Sequence, residues 1–173
     1  ADLTKVFATG SGITKNTNAV TILGTVSAKD ANAIANAATA GAVTATIAPD
    51  TAAKLKAALV NAAATDVLNL TVNGAKADAV DLGALLSKTT EKITVTAKEI
   101  SGSLTDITKV LVTDAKRFTG LDKVAVKIIG NVALADLTDL DAILAATSGI
   151  VTATVASGAA DVLVAALENA KAT

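Results

Sequence analysis

The segment Gly24–Ile47 reads GTVSAKDANAIANAATAGAVTATI, and the segment Gly130–Val155 reads GNVALADLTDLDAILAATSGIVTATV. Both run from Gly-x-Val through an Asp-bearing helical stretch to Ala-Thr, then through a Gly to Val-Thr-Ala-Thr. A third and weaker copy starts near Val72 and reaches Thr96. Internal repeats of this length are typical of chains built from stacked supersecondary units, so the repeat is the basis of our fold prediction.

Six segments rich in Val, Ile and Thr alternate between apolar and polar residues, as half-buried strands do. These predicted strands are Val20–Val26, Val43–Ile47, Val67–Val72, Ile93–Ala97, Val124–Ile128 and Ile150–Val155. An apolar stripe with helical spacing follows each of them, such as Ala31, Ile34 and Ala38 after the first. Alternation of strand and helix at about 22 to 31 residues per unit predicts parallel strands joined by right-handed crossovers.

The alternation within the strands also predicts how many layers the fold has. In a three-layer sheet both strand faces are buried, and the strands form continuous apolar runs. Here Val43, Ala45 and Ile47 alternate with threonines, so one strand face is small and polar. A single unit cannot bury its own apolar stripe, whereas stacked units can. We therefore predict an α/β fold, namely a two-layer βα solenoid of about six strand–helix units with a parallel sheet.

The organisation along the chain follows from the same repeat. We predict a single repeat domain over residues 1–173, in which residues 1–19 are an incoming partial unit and residues 20–173 are strand–helix repeats. The unit at residues 99–123 is irregular because it contains an insert. Asp50, which follows Pro49, and Ser103, which follows Gly102, are predicted to cap the N-termini of helices.

Composition argues against several functional classes. The formal net charge is -1 and the chain has a single Arg and two Phe, so it lacks the basic field and stacking residues expected of a nucleic-acid-binding protein. It has no Cys and no His, which removes thiolate metal sites, the Cys nucleophile and the His base. No apolar run approaches the roughly 20 residues of a membrane helix. We expect no catalytic or cofactor-binding residues and no membrane span, and we predict that the chain is not an enzyme.

A metal site is not predicted either. Asp136, Asp139 and Asp141 lie close together in the sequence, and Ca²⁺ takes six to eight oxygen ligands. The segment lacks the glycine turn and closing Glu of an EF-hand loop, and positions i, i+3 and i+5 of a helix do not converge. We therefore interpret these residues as helix N-terminal acids favoured by the helix dipole. An alternative is that calcium bridges subunits, although the sequence contains no complete motif for it.

Two groups of residues are candidates for surface contact. The first is a set of threonines predicted to project from one strand face, namely Thr44, Thr46, Thr94, Thr96, Thr152 and Thr154. Such a face is open to three interpretations: a solvated strand surface, an array that orders water as on an ice-binding protein, or a carbohydrate contact. The second is the insert at residues 112–120 with Arg117 and Phe118, which either forms a contact site or fills a packing gap with Phe118.

The unit at Gly130–Val155, together with the following Ser157–Leu163 (SGAADVL), resembles the Ala-, Thr- and Val-rich βα repeats of giant secreted bacterial surface proteins, notably those of cyanobacterial type. Ile100–Ile107 (ISGSLTDI) is similar to the second half of that unit, and the resemblance covers most of residues 20–170. It implies export, a location at the cell surface or in a matrix, and tandem copies. Calcium binding is not implied, because the Gly/Asp-rich calcium repeats of such proteins are absent from this sequence.

These observations lead to one expected function and one alternative. We expect an extracellular structural repeat module, secreted or at the bacterial cell surface, that stacks or self-assembles into a surface layer, a filament or an adhesin stalk. Its expected partners are copies of itself, head to tail, or neighbouring repeats, with polysaccharide as a further candidate and no nucleic acid. The alternative is a carbohydrate- or surface-binding adhesion module that uses the Thr-rich strand face or the insert at residues 112–120.

Overall fold

The computed structural model describes residues 18–38, 41–158 and 160–167. Within these ranges the β-strands, labelled β1 to β10, are Val20–Val26, Val43–Ile47, Val67–Asn69, Thr71–Val72, Lys76–Asp78, Ile93–Val95, Glu99–Gly102, Phe118–Thr119, Ala125–Val132 and Val151–Val155. The α-helices, labelled α1 to α6, are Ala28–Ala37, Ala52–Ala58, Ala79–Leu85, Leu104–Thr108, Leu137–Ala146 and Ala160–Ala166. The predicted partial unit at residues 1–19 lies outside the described residues except for its last two.

Strands and helices alternate along the chain, and the strands pair in parallel. They form three sheets, with strand orders β1-β2-β3, β4-β6-β8 and β10-β9-β7-β5. Paired residues lie about 21 to 26 residues apart in the sequence, as in the pairs Val20 with Val43 and Thr71 with Thr94. The predicted α/β class and parallel pairing are confirmed, whereas the prediction of one continuous sheet is wrong.

The strands of the middle units are interrupted at two places. Leu70 separates β3 from β4, and Gly74, with φ of 110°, turns the chain into β5. The additional strands β5, β7 and β8 are short, and none was predicted from the sequence. Lys76–Asp78 and Glu99–Gly102 are too short and too polar to show a period of two. Their partners lie more than 20 residues away, and only the tertiary structure brings these partners together.

The core lies between the strands and the helices. In β2, Val43, Ala45 and Ile47 are 1%, 2% and 1% exposed, while Thr46 between them faces solvent. Helix α1 packs against β2, α3 packs against β5 and β7, and neighbouring helices pack against one another. Fully buried helix residues include Ile34, Leu55, Leu82 and Ile107. Apart from Phe118, the core residues are therefore aliphatic, in keeping with the aromatic content of 1%.

The two repeated segments adopt the same local structure at their first strands. In β1 the ladder with β2 shifts between Thr21 and Thr25, and the ladder between β9 and β10 shifts in the corresponding place. Gly24 and Gly130 occupy these bulges with φ of 84° and 95°, a region that glycine enters without steric cost. Hence the Gly of the Gly-x-Val motif is required by a β-bulge.

The second glycine of the repeat is required by close backbone approach. A Cβ atom at Gly149 would lie 2.1 Å from the carbonyl oxygen of Val124, and one at Gly41 would lie 1.9 Å from that of Asn18. Both distances are far below contact, so neither position accepts a side chain without moving the backbone. The close approach of the backbone of the preceding unit explains why a Gly precedes Val-Thr-Ala-Thr in both copies.

Hydroxyl side chains cap several helices. Ser103 caps α4 as predicted, since its Oγ accepts a hydrogen bond from the Asp106 N–H at 3.2 Å. The predicted cap at Asp50 is wrong by one residue, because Thr51 is the N-cap of α2. Asp50 instead accepts a hydrogen bond from the Thr51 N–H at 2.8 Å and pairs with Lys54 at 3.2 Å. That hydrogen bond and the nearby ammonium hold the pKa of the Asp50 carboxyl below its usual value.

The unit predicted to be irregular is irregular in the structure. After α4 the helix continues as a π-helix over Lys109–Thr113, and a 3₁₀ turn at Ala115–Arg117 leads into β8. A π-helix holds one more residue in each hydrogen-bonded turn than an α-helix, so it lengthens this connection.

Candidate functional site

The six threonines predicted as one face are divided among the three sheets. Thr44 and Thr46 lie on β2 of the first sheet, Thr94 lies on β6 of the second, and Thr152 and Thr154 lie on β10 of the third. Thr96 follows β6, and its Oγ1 donates a hydrogen bond to the Val72 carbonyl at 3.2 Å. Five of the six are exposed and Thr44 is half-buried, so a shared threonine surface that spans the three sheets stays a prediction.

The second sheet carries a short threonine row that the sequence did not predict. Thr71 pairs with Thr94, and Thr94 pairs with Thr119, so the three residues lie on neighbouring strands. The Thr119 Oγ1 donates to the Thr94 Oγ1 at 3.2 Å. The row is visible only from the strand register, because β8 consists of two residues and is too short to be predicted from the sequence.

The insert at residues 112–120 is built into the fold through its two candidate contact residues. Phe118 is 5% exposed and belongs to the core, so it fills a packing gap and offers no ring to a ligand. The guanidinium of Arg117 is half-buried, and its Nη2 donates to the carbonyl oxygen of Thr89 at 2.8 Å. These contacts favour the structural interpretation of the insert over a binding site.

We expect the substitution Arg117→Ala to lower the free energy of unfolding by about 1 to 2 kcal/mol, because it removes a charge-assisted hydrogen bond between neighbouring units. Urea unfolding followed by far-UV circular dichroism measures this change, since the chain has no Trp or Tyr for fluorescence. Lys116→Ala is the matched control, because Lys116 is exposed. Equal stability of the two variants would contradict the structural role of Arg117.

Three buried polar side chains occur among the described residues, and all three lie at the corner that precedes a strand. They are Asp66, Thr89 and Thr147, which we call the corner residues. Asp66 accepts hydrogen bonds from the N–H groups of Val43 at 2.7 Å and Ala63 at 2.9 Å. The bond to Val43 joins Asp66 to the backbone of the preceding unit.

Thr89 and Thr147 use their hydroxyl groups in the same way. The Thr89 Oγ1 donates to the Leu68 carbonyl at 2.8 Å and accepts from the Leu68 N–H at 2.9 Å. The Thr147 Oγ1 donates to the Val124 carbonyl at 2.8 Å and accepts from the Gly149 N–H at 3.0 Å. In the sequence Thr147 stands out only as part of the Ala-Thr motif, and Asp66 and Thr89 carry no local signal. These side chains therefore join neighbouring units.

The third sheet ends in an open strand edge at β10. Strand β10 is the outermost strand of its sheet, and no described strand pairs with its far side. The Val126 N–H donates to the carbonyl oxygen of Ile150, and the Ala156 N–H donates to that of Val132. Because backbone groups alternate in direction along a strand, the N–H and C=O groups of Val151, Ala153 and Val155 point to the open edge.

The acidic residues considered for calcium lie on two successive elements. Asp136 ends a 3₁₀ turn, and Asp139 and Asp141 lie on α5. Across the part of the chain that the structure describes, no group of three or more His, Cys, Asp or Glu side chains is placed to hold a metal ion. The two acidic side chains of α5 face away from a common point, since positions two apart on a helix do not share a face.

Comparisons with known proteins give no relative. No family model, no curated protein and no solved structure matches this chain. Within the described ranges, no helix combines the length and the apolar character that crossing a membrane requires.

Proposed function

We propose that this chain is a non-catalytic structural repeat module of an extracellular or cell-surface bacterial protein. In this proposal its strand–helix units form a two-layer solenoid of about six units, and the solenoid stacks end to end. The neighbours are further copies of the chain or similar repeats. The offset between paired strands supports the solenoid, because a nearly constant offset is what stacked units produce.

The comparison of β2 with β10 is the observation that carries the stacking proposal. Both strands contain Val-Thr-Ala-Thr, and both pair with a bulged strand in the same register. In β2 the inward residues are almost wholly buried, whereas Val151, Ala153 and Val155 of β10 are only half-buried. Their exposure differs because β2 is covered on its far side by β3, while β10 has no described strand there.

The open edge of β10 therefore suits a further parallel strand, paired as β3 is paired with β2. On β2 the far edge pairs with β3 through Thr44 with Val67 and Thr46 with Asn69, and Asp66 accepts from the Val43 N–H. The edge of β10 offers the same backbone groups in the same order. Open strand edges template the addition of another strand, and head-to-tail contacts that do not close produce filaments. We propose that the outer edge of β1 in a second copy pairs with β10.

We expect the wild-type chain to form assemblies whose mass rises with concentration, as measured by analytical ultracentrifugation and electron microscopy. The variant Ala153→Pro removes the N–H group that points to the open edge and should keep the chain monomeric, without loss of a hydrogen bond to β9. Circular dichroism checks that this variant folds. Thr152→Lys is the control, because the backbone of Thr152 bonds to β9 and its side chain faces solvent, so this variant should still assemble.

The same measurements in calcium and in chelator decide whether metal bridges the copies. Loss of assembly in chelator would place metal at the interface and leave the stacking proposal in force. A wild-type chain that stays monomeric at millimolar concentration under both conditions would overturn stacking through β10. Assembly of Ala153→Pro as efficient as that of the wild type would overturn it as well.

A carbohydrate-binding role through the insert at residues 112–120 has less support. Phe118 is buried and Arg117 is bonded to Thr89, so neither is available as the contact that the alternative requires. A different place on the chain, the solvent face of the third sheet, carries a cleft that supports sugar binding independently of the insert.

A further inference from the structure

A cleft of about 440 Å³ lies on the solvent face of the third sheet, beside the bulge of β9. Its polar and exposed lining side chains come from four neighbouring strands, β5, β7, β9 and β10. They are Lys76, Ser101, Lys127, Ile129, Asn131 and Thr154. Two other clefts formed by described residues are smaller, at about 250 Å³ and 130 Å³. The cleft therefore combines amines, hydroxyls, an amide and one large apolar side chain.

The bulge shapes one wall of the cleft. The ladder passes from the pair of Lys127 with Thr152 to the pair of Asn131 with Thr154, so residues 128–130 face a single residue of β10. A bulge leaves its extra residues out of the ladder and redirects their side chains. As a result Ile129 stands in solvent with 60% of its surface exposed, at the margin of the cleft.

The charges in the cleft are only partly compensated. Lys76 pairs with Glu99 at 3.5 Å, which balances one of the two amines. Lys127 forms no ion pair with any residue that the structure describes. Its register neighbours Ser101 and Thr152 are neutral. An uncompensated ammonium group beside hydroxyl and amide groups is suited to an anionic, polyhydroxylated ligand.

The first copy of the repeat provides an internal comparison. Aligned on their glycines, the bulge at Gly24 carries Thr21 where the bulge at Gly130 carries Lys127. Leu23 occupies the position of Ile129 and is also exposed, at 90%. The exposed apolar tip is thus common to both bulges, whereas the cation is present only at the second. This difference points to a charged ligand at the second bulge.

We propose that this cleft binds an anionic sugar unit, carboxylated or sulfated, of an acidic polysaccharide. The Lys127 ammonium pairs with the carboxylate or sulfate, and Ser101, Asn131 and Thr154 hydrogen-bond the sugar hydroxyls. Ile129 packs against the apolar C–H face of the ring. The site is separate from the open edge of β10, so it adds a ligand to the stacking role and does not depend on it.

The test is a nuclear magnetic resonance titration of the full chain with three oligosaccharides of equal length: an oligogalacturonate, a sulfated galactan and a neutral galactan. We expect saturable shifts of the amide signals of residues 127–131 with one or both anionic sugars and none with the neutral one. Binding by only one of the two would identify the anion. Affinity should fall with added salt, because screening weakens the Lys127 contact.

Two variants locate the site. Lys127→Ala should weaken binding of the anionic sugar roughly tenfold, in keeping with loss of one charge-assisted hydrogen bond. Lys29→Ala, which removes an exposed lysine of α1 away from the cleft, should bind as the wild type does. Sedimentation of Lys127→Ala should match the wild type, which separates this site from stacking. The proposal is overturned by equal binding of the neutral sugar, by wild-type affinity of Lys127→Ala, or by no saturable binding of either anionic sugar.

Discussion

The substitution Asp66→Ala is expected to lower the free energy of unfolding by about 2 to 4 kcal/mol. The Asp66 carboxylate is 4% exposed and accepts hydrogen bonds from the N–H groups of Val43 and Ala63. Alanine leaves both N–H groups without their acceptor, and an unpaired buried donor costs about 1 to 3 kcal/mol. Urea unfolding followed by circular dichroism measures the loss.

Two further variants make this expectation specific. Asp66→Asn keeps one oxygen acceptor but turns an NH₂ group toward a donor, so its stability should lie between those of the wild type and Asp66→Ala. Asp122→Ala removes an exposed carboxylate at another corner and should change stability by less than about 0.5 kcal/mol. If Asp66→Ala behaved like Asp122→Ala, the corner hydrogen bonds would not hold the units together.

Leu82→Ala is expected to cost about 2 to 5 kcal/mol of unfolding free energy, because it removes a fully buried side chain and leaves a cavity. Leu82 lies on α3, which packs between α2 and α4. The loss should therefore loosen both neighbouring helices, and hydrogen exchange of their amides should accelerate.

Val80→Ala is the matched control for this prediction, since Val80 lies on the same helix with 53% of its surface exposed. Its unfolding free energy should stay within about 0.5 kcal/mol of the wild type. Equal midpoints of the Leu82 and Val80 variants would show that the apolar stripe of α3 does not face the core.

The proposed stacking edge and the proposed sugar cleft lie on different parts of the third sheet. Stacking depends on backbone groups at the far edge of β10, and sugar binding depends on Lys127 and side chains of the solvent face. Ala153→Pro and Lys127→Ala therefore affect one property each. A chain that binds acidic sugar but does not stack would be an adhesion module, and a chain that stacks without sugar would be purely structural.

Strand prediction from the sequence succeeded where side-chain alternation was long enough to be seen. The bounds of β1 and β2 agree with the prediction at both ends, and β10 differs by one residue. The predicted strand at Val67–Val72 is interrupted at Leu70, and the predicted strand at Val124–Ile128 continues to Val132. β1 crosses the equivalent bulge at Gly24 within its predicted bounds, so alignment of the two repeats would have extended the prediction beyond Ile128.

Prediction of the contact residues was less successful because it required knowledge of register. Thr44 and Thr152 occupy equivalent places in the two repeats, yet they lie in different sheets. Phe118 and Arg117 drew notice as rare residue types, and their burial and bonding were set by β6 and Thr89 of the preceding unit. Asp66 gave no local signal, since its partner Val43 is 23 residues away.

The sequence by itself determined the alternation of strand and helix, the parallel class of pairing, the aliphatic core and the placement of the repeat glycines. These depend on burial of one strand face or one helix stripe, which a period of two or of 3.6 residues records within a single segment. The tertiary structure decided the division into three sheets, the corner hydrogen bonds of Asp66, the open edge of β10 and the cleft at Lys127. Each of these depends on atoms from units about 21 to 26 residues apart, and the pattern within a single strand or helix does not record which of those atoms meet.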